Sequence, residues 1–336
     1  MSRRQSRLTR MRDFRNLVIL NKLSYMRNMS TASKWILGIV IAFAGFALLA
    51  FAMGLFMIAS ALTTASTDSY EESFGGSTAE RVALITLESD ITTAEDIIEQ
   101  LRKYRKRSSV KAIVLRLDSP GGAVVPSHEI YEEVKRTRNL GTPVVVSMGS
   151  VAASGAYYIA CGASSIVANP GTITGSIGVV ATFTNAKGLM DKIGIEQTTV
   201  KSGEFKDAGS PVRRMTDSER QYFQETIDNV FGQFVDIVAE ARGMSTDSVR
   251  IFADGRIFTG EQAYGYGLVD TLGTLQTAIA IAGTLGKISG EPRVVRELPR
   301  QSVLDLLTGE QASTALSTIG SALRGAPPVQ YKLMFH

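Results

Sequence analysis

An α/β domain with a largely parallel sheet, carried behind one membrane-spanning helix, is the architecture this sequence predicts. Three observations predict it. Residues 35–62 form a 28-residue apolar run without a charge. From Arg81 onward, short β-branched runs alternate with segments of helical apolar spacing, the pattern of a parallel sheet with crossover helices. The 336 residues are 44% hydrophobic and 20% charged, enough apolar surface for a core and too little charge for wholesale disorder. With one Cys and two His, the chain excludes an internal disulfide framework and a Cys-rich zinc module.

Residues 1–34 carry nine Lys/Arg against Asp13 alone, a net +8, so the rest of a chain of net charge +4 is at −4. The main domain is therefore not basic, and nucleic-acid binding is not expected. Residues 35–62 exceed the ~20 helical residues that cross a ~30 Å bilayer core. They also exceed the ~7–15 apolar residues of a cleavable signal. The basic segment 1–34 is expected on the cytoplasmic side and everything after the helix outside. Within it, residues 14–23 read as a stretch lying on anionic lipid or as a solvated arm. Residues 63–80, rich in Ser, Thr and Gly, read as a flexible linker.

The main domain is expected over residues 81–300, with residues 301–336 as a C-terminal extension for assembly or groove binding. Strands are expected at 82–87, 110–117, 142–148 and 165–168, each β-branched and short. Helices are expected at 92–106, 127–138, 152–161, 216–241, 259–266 and 275–285. Neither a phosphate-binding Walker loop nor a dinucleotide glycine fingerprint is present, so no cofactor is expected.

Three stretches are candidates for chemistry. Asp118-Ser-Pro-Gly-Gly122 ends a strand in a sharp turn, and its glycines leave backbone N–H groups open to an oxyanion. A tight turn without chemistry is the plainer reading of this stretch alone. Ser154 lies among small residues after a buried strand and at a helix start, a setting that admits substrate and favours negative charge. A cap at Ser154 or Ser150 is the alternative. Position 152 is Ala, so this is not the G-x-S-x-G elbow. Lys206 sits in a glycine-flanked loop, where a solvated surface lysine is the ordinary case. His128, after the Gly-Gly turn, reads as a structural histidine, and Cys161 as a small packed apolar side chain.

Taken in order, D-S-P-G-G, S-M-G-S-x-A-A-S-G-x-Y-Y, T-G-S-I-G-V and K-S-G-x-x-K-D-x-x-S-P resemble the signal peptide peptidase family of the SppA type, in its short, single-repeat form. The resemblance covers roughly residues 81–290. It implies the Clp protease/crotonase-like spiral of ββα units and a serine endopeptidase that degrades remnant signal peptides with a Ser-Lys dyad. It makes Ser154 the nucleophile, Lys206 the general base and Ser176 the hydroxyl that orients the lysine. It makes the N–H groups of Gly122 and Gly155 the oxyanion hole. It also implies a membrane-bound homo-oligomeric ring in which neighbouring protomers share active sites.

The residue chemistry is compatible with this. His128 and His336 offer no plausible triad base, which leaves lysine. A free lysine has a pKa of ~10.4 and must drop by about 2–3 units to act as a base at neutral pH. Asp207 opposes such a drop, so its carboxylate is expected to point away from Lys206. The tail 328–336 is expected in a peptide groove of its own ring, as a docking strand for assembly, or as a frayed end. Three rivals share parts of this pattern: an acyl-CoA enzyme of the same fold, a non-catalytic scaffold, and a membrane peptidase with other envelope substrates.

Overall fold

The computed structural model describes residues 30–63, 70–298 and 330–332. It divides into two units, Met1–Asp68 and Ser69–His336. The first unit contributes helix α1 (Thr31–Thr63). Trp35, Ile39, Phe43 and Phe46 lie exposed along it. Its segment Thr31–Gly54 is long and apolar enough to cross a membrane. The expectations for residues 1–29, including the lipid-lying stretch 14–23, fall outside the described residues.

The second unit opens with a correction. Residues 70–75, read as linker, form strand β1 (Tyr70–Gly75), antiparallel to β10 (Arg293–Leu298). Composition hid this strand because its partner lies more than 200 residues away. Arg107 pairs with Glu71, Arg296 pairs with Glu72, and the Arg296 guanidinium also lies 5.7 Å from the Phe74 ring.

The chain then runs through β2 (Arg81–Glu88), α2 (Glu95–Lys106), β3 (Val110–Ser119) and β4 (Gly121–Ala123). It continues through α3 (Val124–Asn139), β5 (Val144–Ala153), α4 (Gly155–Ala160), β6 (Ser165–Ala168) and β7 (Ile173–Gly175). Helix α5 (Lys187–Ile193) and a 3-10 turn (Glu204–Asp207) precede the long α6 (Asp217–Arg242). After α7 (Thr246–Arg250) come β8 (Ile257–Thr259), α8 (Gly260–Gly265), β9 (Thr271–Leu272) and α9 (Leu275–Leu285). Every helix expected within the domain forms. The one read over 152–161 starts late, because residues 152–153 stay in β5.

The sheet has the order β1-β10-β2-β3-β5-β6-β9, with β7 branching from β5 and β8 from β7. All pairs along its centre are parallel. Alternation along each strand supplies two apolar faces. Ile85, Leu115 and Val146 join one core with Tyr104, Tyr157 and Phe234. Leu84, Val114 and Val145 join the other, which α9 covers with Ala278 and Ala282. Both faces being covered explains why these strands read as continuous apolar runs. The architecture is the Clp protease-like α/β fold.

Strand β11 (Gln330–Lys332) is the described part of the C-terminal extension. It pairs antiparallel with β4, Tyr331 opposite Gly122.

Candidate active site

Strand β5 and helix α4 meet at Ser154. The carbonyl of Ser154 accepts the Tyr158 N–H at 2.9 Å, so it already belongs to the helix, while its φ of 54° and ψ of −114° belong to neither element. A non-glycine residue held there costs about 1–3 kcal/mol and persists only where its surroundings fix it. The surroundings do so. The Ser154 N–H donates to the Gly175 carbonyl at 2.8 Å, Thr174 Oγ1 donates to the Ala152 carbonyl at 2.6 Å, and Asp118 Oδ1 accepts the Val151 N–H at 3.1 Å. Ser154 is 1% exposed, buried among Ala153, Gly155 and Ala156.

Ser176 arrives beside it because β7 pairs with β5 in parallel, Gly175 opposite Ala153. The residue that follows each strand end is a serine, and each has positive φ, 51° at Ser176. The N–H of Ser176 is held from the other side by the Arg256 carbonyl at 2.8 Å. Gly175 has φ 78°, and a Cβ on it would lie 2.6 Å from the Phe258 ring, so this approach requires glycine.

Gly122 sits in β4, which packs against α4. Ile91 bridges to it in parallel: Ile91 N–H donates to the Gly121 carbonyl at 2.9 Å, and Ala123 N–H donates to the Ile91 carbonyl at 2.8 Å. In such a pair the N–H and C=O of Gly122 itself face the opposite edge, where β11 lies. Gly155 opens α4, so its N–H has no partner within the helix. Ser176 thus follows the strand paired with the one that ends at Ser154, Gly155 adjoins Ser154 in the chain, and Gly122 lies in a separate two-stranded ladder, β4 with β11, that packs against α4.

Lys206 lies in the exposed 3-10 turn, and no hydrogen bond of the described residues joins it to Ser154 or Ser176. Asp207, the next residue, pairs with two other cations. Its carboxylate accepts from Lys201 Nζ at 2.6 Å and from Arg213 Nε at 2.9 Å, and these cations hold its carboxyl well below the usual carboxylate range. His128 Nδ1 lies 2.8 Å from the Tyr158 hydroxyl, a structural role. Cys161 is buried, and burial pushes its thiol up to about 12.

The sequence reading missed Asp118 and Thr174, which fasten the β5 end that presents Ser154. A carboxylate just before a Gly-Gly turn was the available signal for Asp118. It also missed Arg213 and Glu219, whose pairing no local pattern announces.

Two family models match this chain, Peptidase family S49 over residues 136–289 and Clp protease over residues 66–172. A Synechocystis protein named as an inferred protease is 42% identical over 214 residues, 63% of this chain and 76% of that protein. An inferred signal peptide peptidase SppA from Enterococcus faecium is 38% identical over 185 residues, 55% of this chain and 54% of that protein. The chloroplast serine protease SPPA of Arabidopsis thaliana is 38% identical over 240 residues, 70% of this chain and 35% of that protein.

Proposed function

This chain belongs to peptidase family S49, a serine protease family, and from that premise we propose a membrane-anchored endopeptidase in which Ser154 attacks the scissile carbonyl and Lys206 is its base. One observation carries the reading. Ser154 is a buried serine of positive φ, fixed at a strand-to-helix corner where the paired strand β7 brings in Ser176. A neutral Lys206 amine takes the hydroxyl proton as Ser154 Oγ bonds to the carbonyl carbon. The N–H groups of Gly122 and Gly155 receive the oxyanion. Collapse of that intermediate breaks the C–N bond, with the lysine proton passing to the leaving amine. Lys206 then draws a proton from water as the water oxygen bonds to the acyl carbon, and returns that proton to Ser154 Oγ as the C–Oγ bond breaks and the acyl product leaves as its acid. Ser176 orients the amine.

The exposure of Lys206 in the single chain supports sharing between copies. An amine must lose its water and its counter-ions to serve as a base. A neighbouring protomer of a homo-oligomeric ring supplies Lys206 to Ser154 and seals it there. The edge of β4 supports the substrate class: the chain's own β11 occupies it as an extended antiparallel segment, and a peptide that displaces β11 gains the same edge by strand addition and frees the Gly122 N–H. The apolar α1 supports a head tethered at the cytoplasmic membrane, N-terminus inside and peptidase outside, with membrane lipid around the helix. Remnant signal peptides in that membrane are the substrates within its reach. The likeness to a relative named SppA supports the same choice.

The test uses the full chain in lipid, with a fluorogenic apolar peptide and a synthetic signal peptide as substrates. Ser154→Ala and Lys206→Ala should each abolish turnover, and mixing the two proteins should restore part of it. Lys206→Arg should be as inactive as Lys206→Ala, because arginine keeps its proton. Turnover by Lys206→Arg sinks the base assignment. Failure of the mixture, with mixed oligomers demonstrated, sinks the sharing. Cleavage of other envelope proteins but not of signal peptides removes the substrate class and leaves the peptidase.

A further inference from the structure

The turn that carries Lys206 has no buried side chain of its own; residues 201–206 are all exposed. It owes its position to contacts with the start of α6, a helix anchored in the core by Phe234, Val235 and Val238. Three ties run between them. Ser218 Oγ donates to Glu204 Oε1 at 3.1 Å, and the Phe205 and Tyr222 rings lie 5.2 Å apart. The third tie is Arg213. Its Nε donates to Asp207 Oδ2 at 2.9 Å and its Nη2 to the Asp207 carbonyl at 3.0 Å. Its Nη1 donates to Glu219 Oε2 at 2.9 Å, and its Nη2 also pairs with Glu219 Oε1.

Glu219 is 2% exposed and sits in the first turn of α6. There its side chain accepts the Thr216 N–H at 2.9 Å in a capping box. The charged or titratable groups about the Lys206 turn are Lys201, Glu204, Asp207, Arg213 and Arg214 on the loop and Asp217, Glu219, Arg220 and Tyr222 at the start of α6. Glu204 is occupied by Ser218, and Asp207 by Lys201 and Arg213. Glu219 is occupied by Arg213. Remove the guanidinium and Asp207 keeps Lys201 while Glu219 keeps the Thr216 N–H, but both carboxylates lose the cation they share.

We propose that Arg213 is a positioning residue for Lys206: it fastens the 3-10 turn to α6 and holds the Asp207 carboxylate away from the lysine amine. The proposal rests on the reading of Lys206 as the base. A single ammonium cannot replace this arginine, because the fork reaches two carboxylates and one carbonyl together. An Asp207 carboxylate held by Lys201 alone is freer to turn toward the amine, and at close range it favours the protonated amine by about one pH unit.

The experiment is the pH dependence of kcat/KM for the full chain in lipid, with melting temperature and oligomer size recorded for each variant. Arg213→Gln should move the acidic limb up by about one unit, a ~10-fold loss on the acid side that fades at higher pH. Adding Asp207→Asn to Arg213→Gln should bring the limb back toward wild type, since the opposing charge is gone. A loss equal at every pH, an unmoved limb, or no relief by Asp207→Asn overturns the proposal. Should Arg213→Gln melt below the assay temperature, Arg213→Lys carries the same readout, with a smaller upward shift relieved by Asp207→Asn. An unmoved limb there is equally fatal. Lys206→Arg, run alongside, separates the two readings. If it turns over, the base assignment has failed. If it is inactive while the Arg213 limb stays put, only the role of Arg213 has.

Discussion

Replacing Gly122 with alanine tests the proposed oxyanion site at its narrowest point. A Cβ on residue 122 would lie 2.1 Å from the Ile91 carbonyl oxygen, 2.6 Å from its nitrogen and 2.7 Å from its carbonyl carbon. These are backbone atoms, so no rotamer change relieves the clash. Even a crowded 3.0 Å contact requires about 0.9 Å of movement. The segments that must part are joined by the Ile91–Gly121 and Ala123–Ile91 hydrogen bonds. Overpacking of this kind costs about 1–3 kcal/mol of stability. The catalytic consequence is larger, because a donor serves an oxyanion only within ~2.7–3.1 Å. Displacing one such donor lowers kcat by about 10²–10³-fold. The assay pairs hydrolysis of a fluorogenic peptide with the rate of Ser154 labelling by a fluorophosphonate and with a thermal melt. Gly232→Ala is the control: it lies within α6, and a Cβ there meets nothing within 4 Å. It should keep full turnover and gain up to ~1 kcal/mol in stability. A Gly122→Ala protein that folds and hydrolyses peptide at the wild-type rate refutes the oxyanion assignment and the rigidity argued for β4.

Three further outcomes are expected. Ser154→Gly should be inactive yet more heat-stable by about 1 kcal/mol, because glycine adopts the positive φ without strain; a lower melting temperature contradicts the strain at this corner. Acid should weaken the α6 start: pairing with Arg213 lowers the Glu219 pKa to about 2 from the usual 4.5, so its contribution is complete above about 4.5 and is lost as pH falls toward 2. Melting temperatures at pH 5 and pH 3 should therefore differ more in wild type than in Glu219→Gln, where Asp207 and Asp254 still contribute an acid loss, and an equal acid loss in both would falsify this origin. Cys161, buried and with its thiol raised to about 12, should resist alkylation at pH 8 until the protein unfolds; rapid labelling of the native chain contradicts its place in the core.

Period and composition made much of this molecule legible. The apolar run of α1, the β-branched centres of β2, β3 and β5, and the amphipathic α6 each announce themselves within one window. They do so because burial on a face repeats every two residues in a strand and every 3.6 in a helix. The order of the small-residue motifs marks Ser154, Ser176, Gly122 and Gly155 through the family it resembles. Strand partnership did not show in this way. The three residues of β7 have no period to read, and β1 lay inside a stretch composed like a linker.

The amino-acid sequence by itself determined which side chains are apolar, where the chain can turn, and which hydroxyls and amines are present for chemistry. Tertiary structure alone decided that β7 lies against β5 in the register that sets Ser176 beside Ser154, that β11 pairs along β4, and that Arg213 clasps Asp207 to Glu219. The physical reason is that a local pattern records only whether a residue prefers water, and this preference is satisfied by many partners. Which partner is met follows from the packing of segments far apart in the chain, where hydrogen bonds and steric fit select one arrangement among those that burial permits.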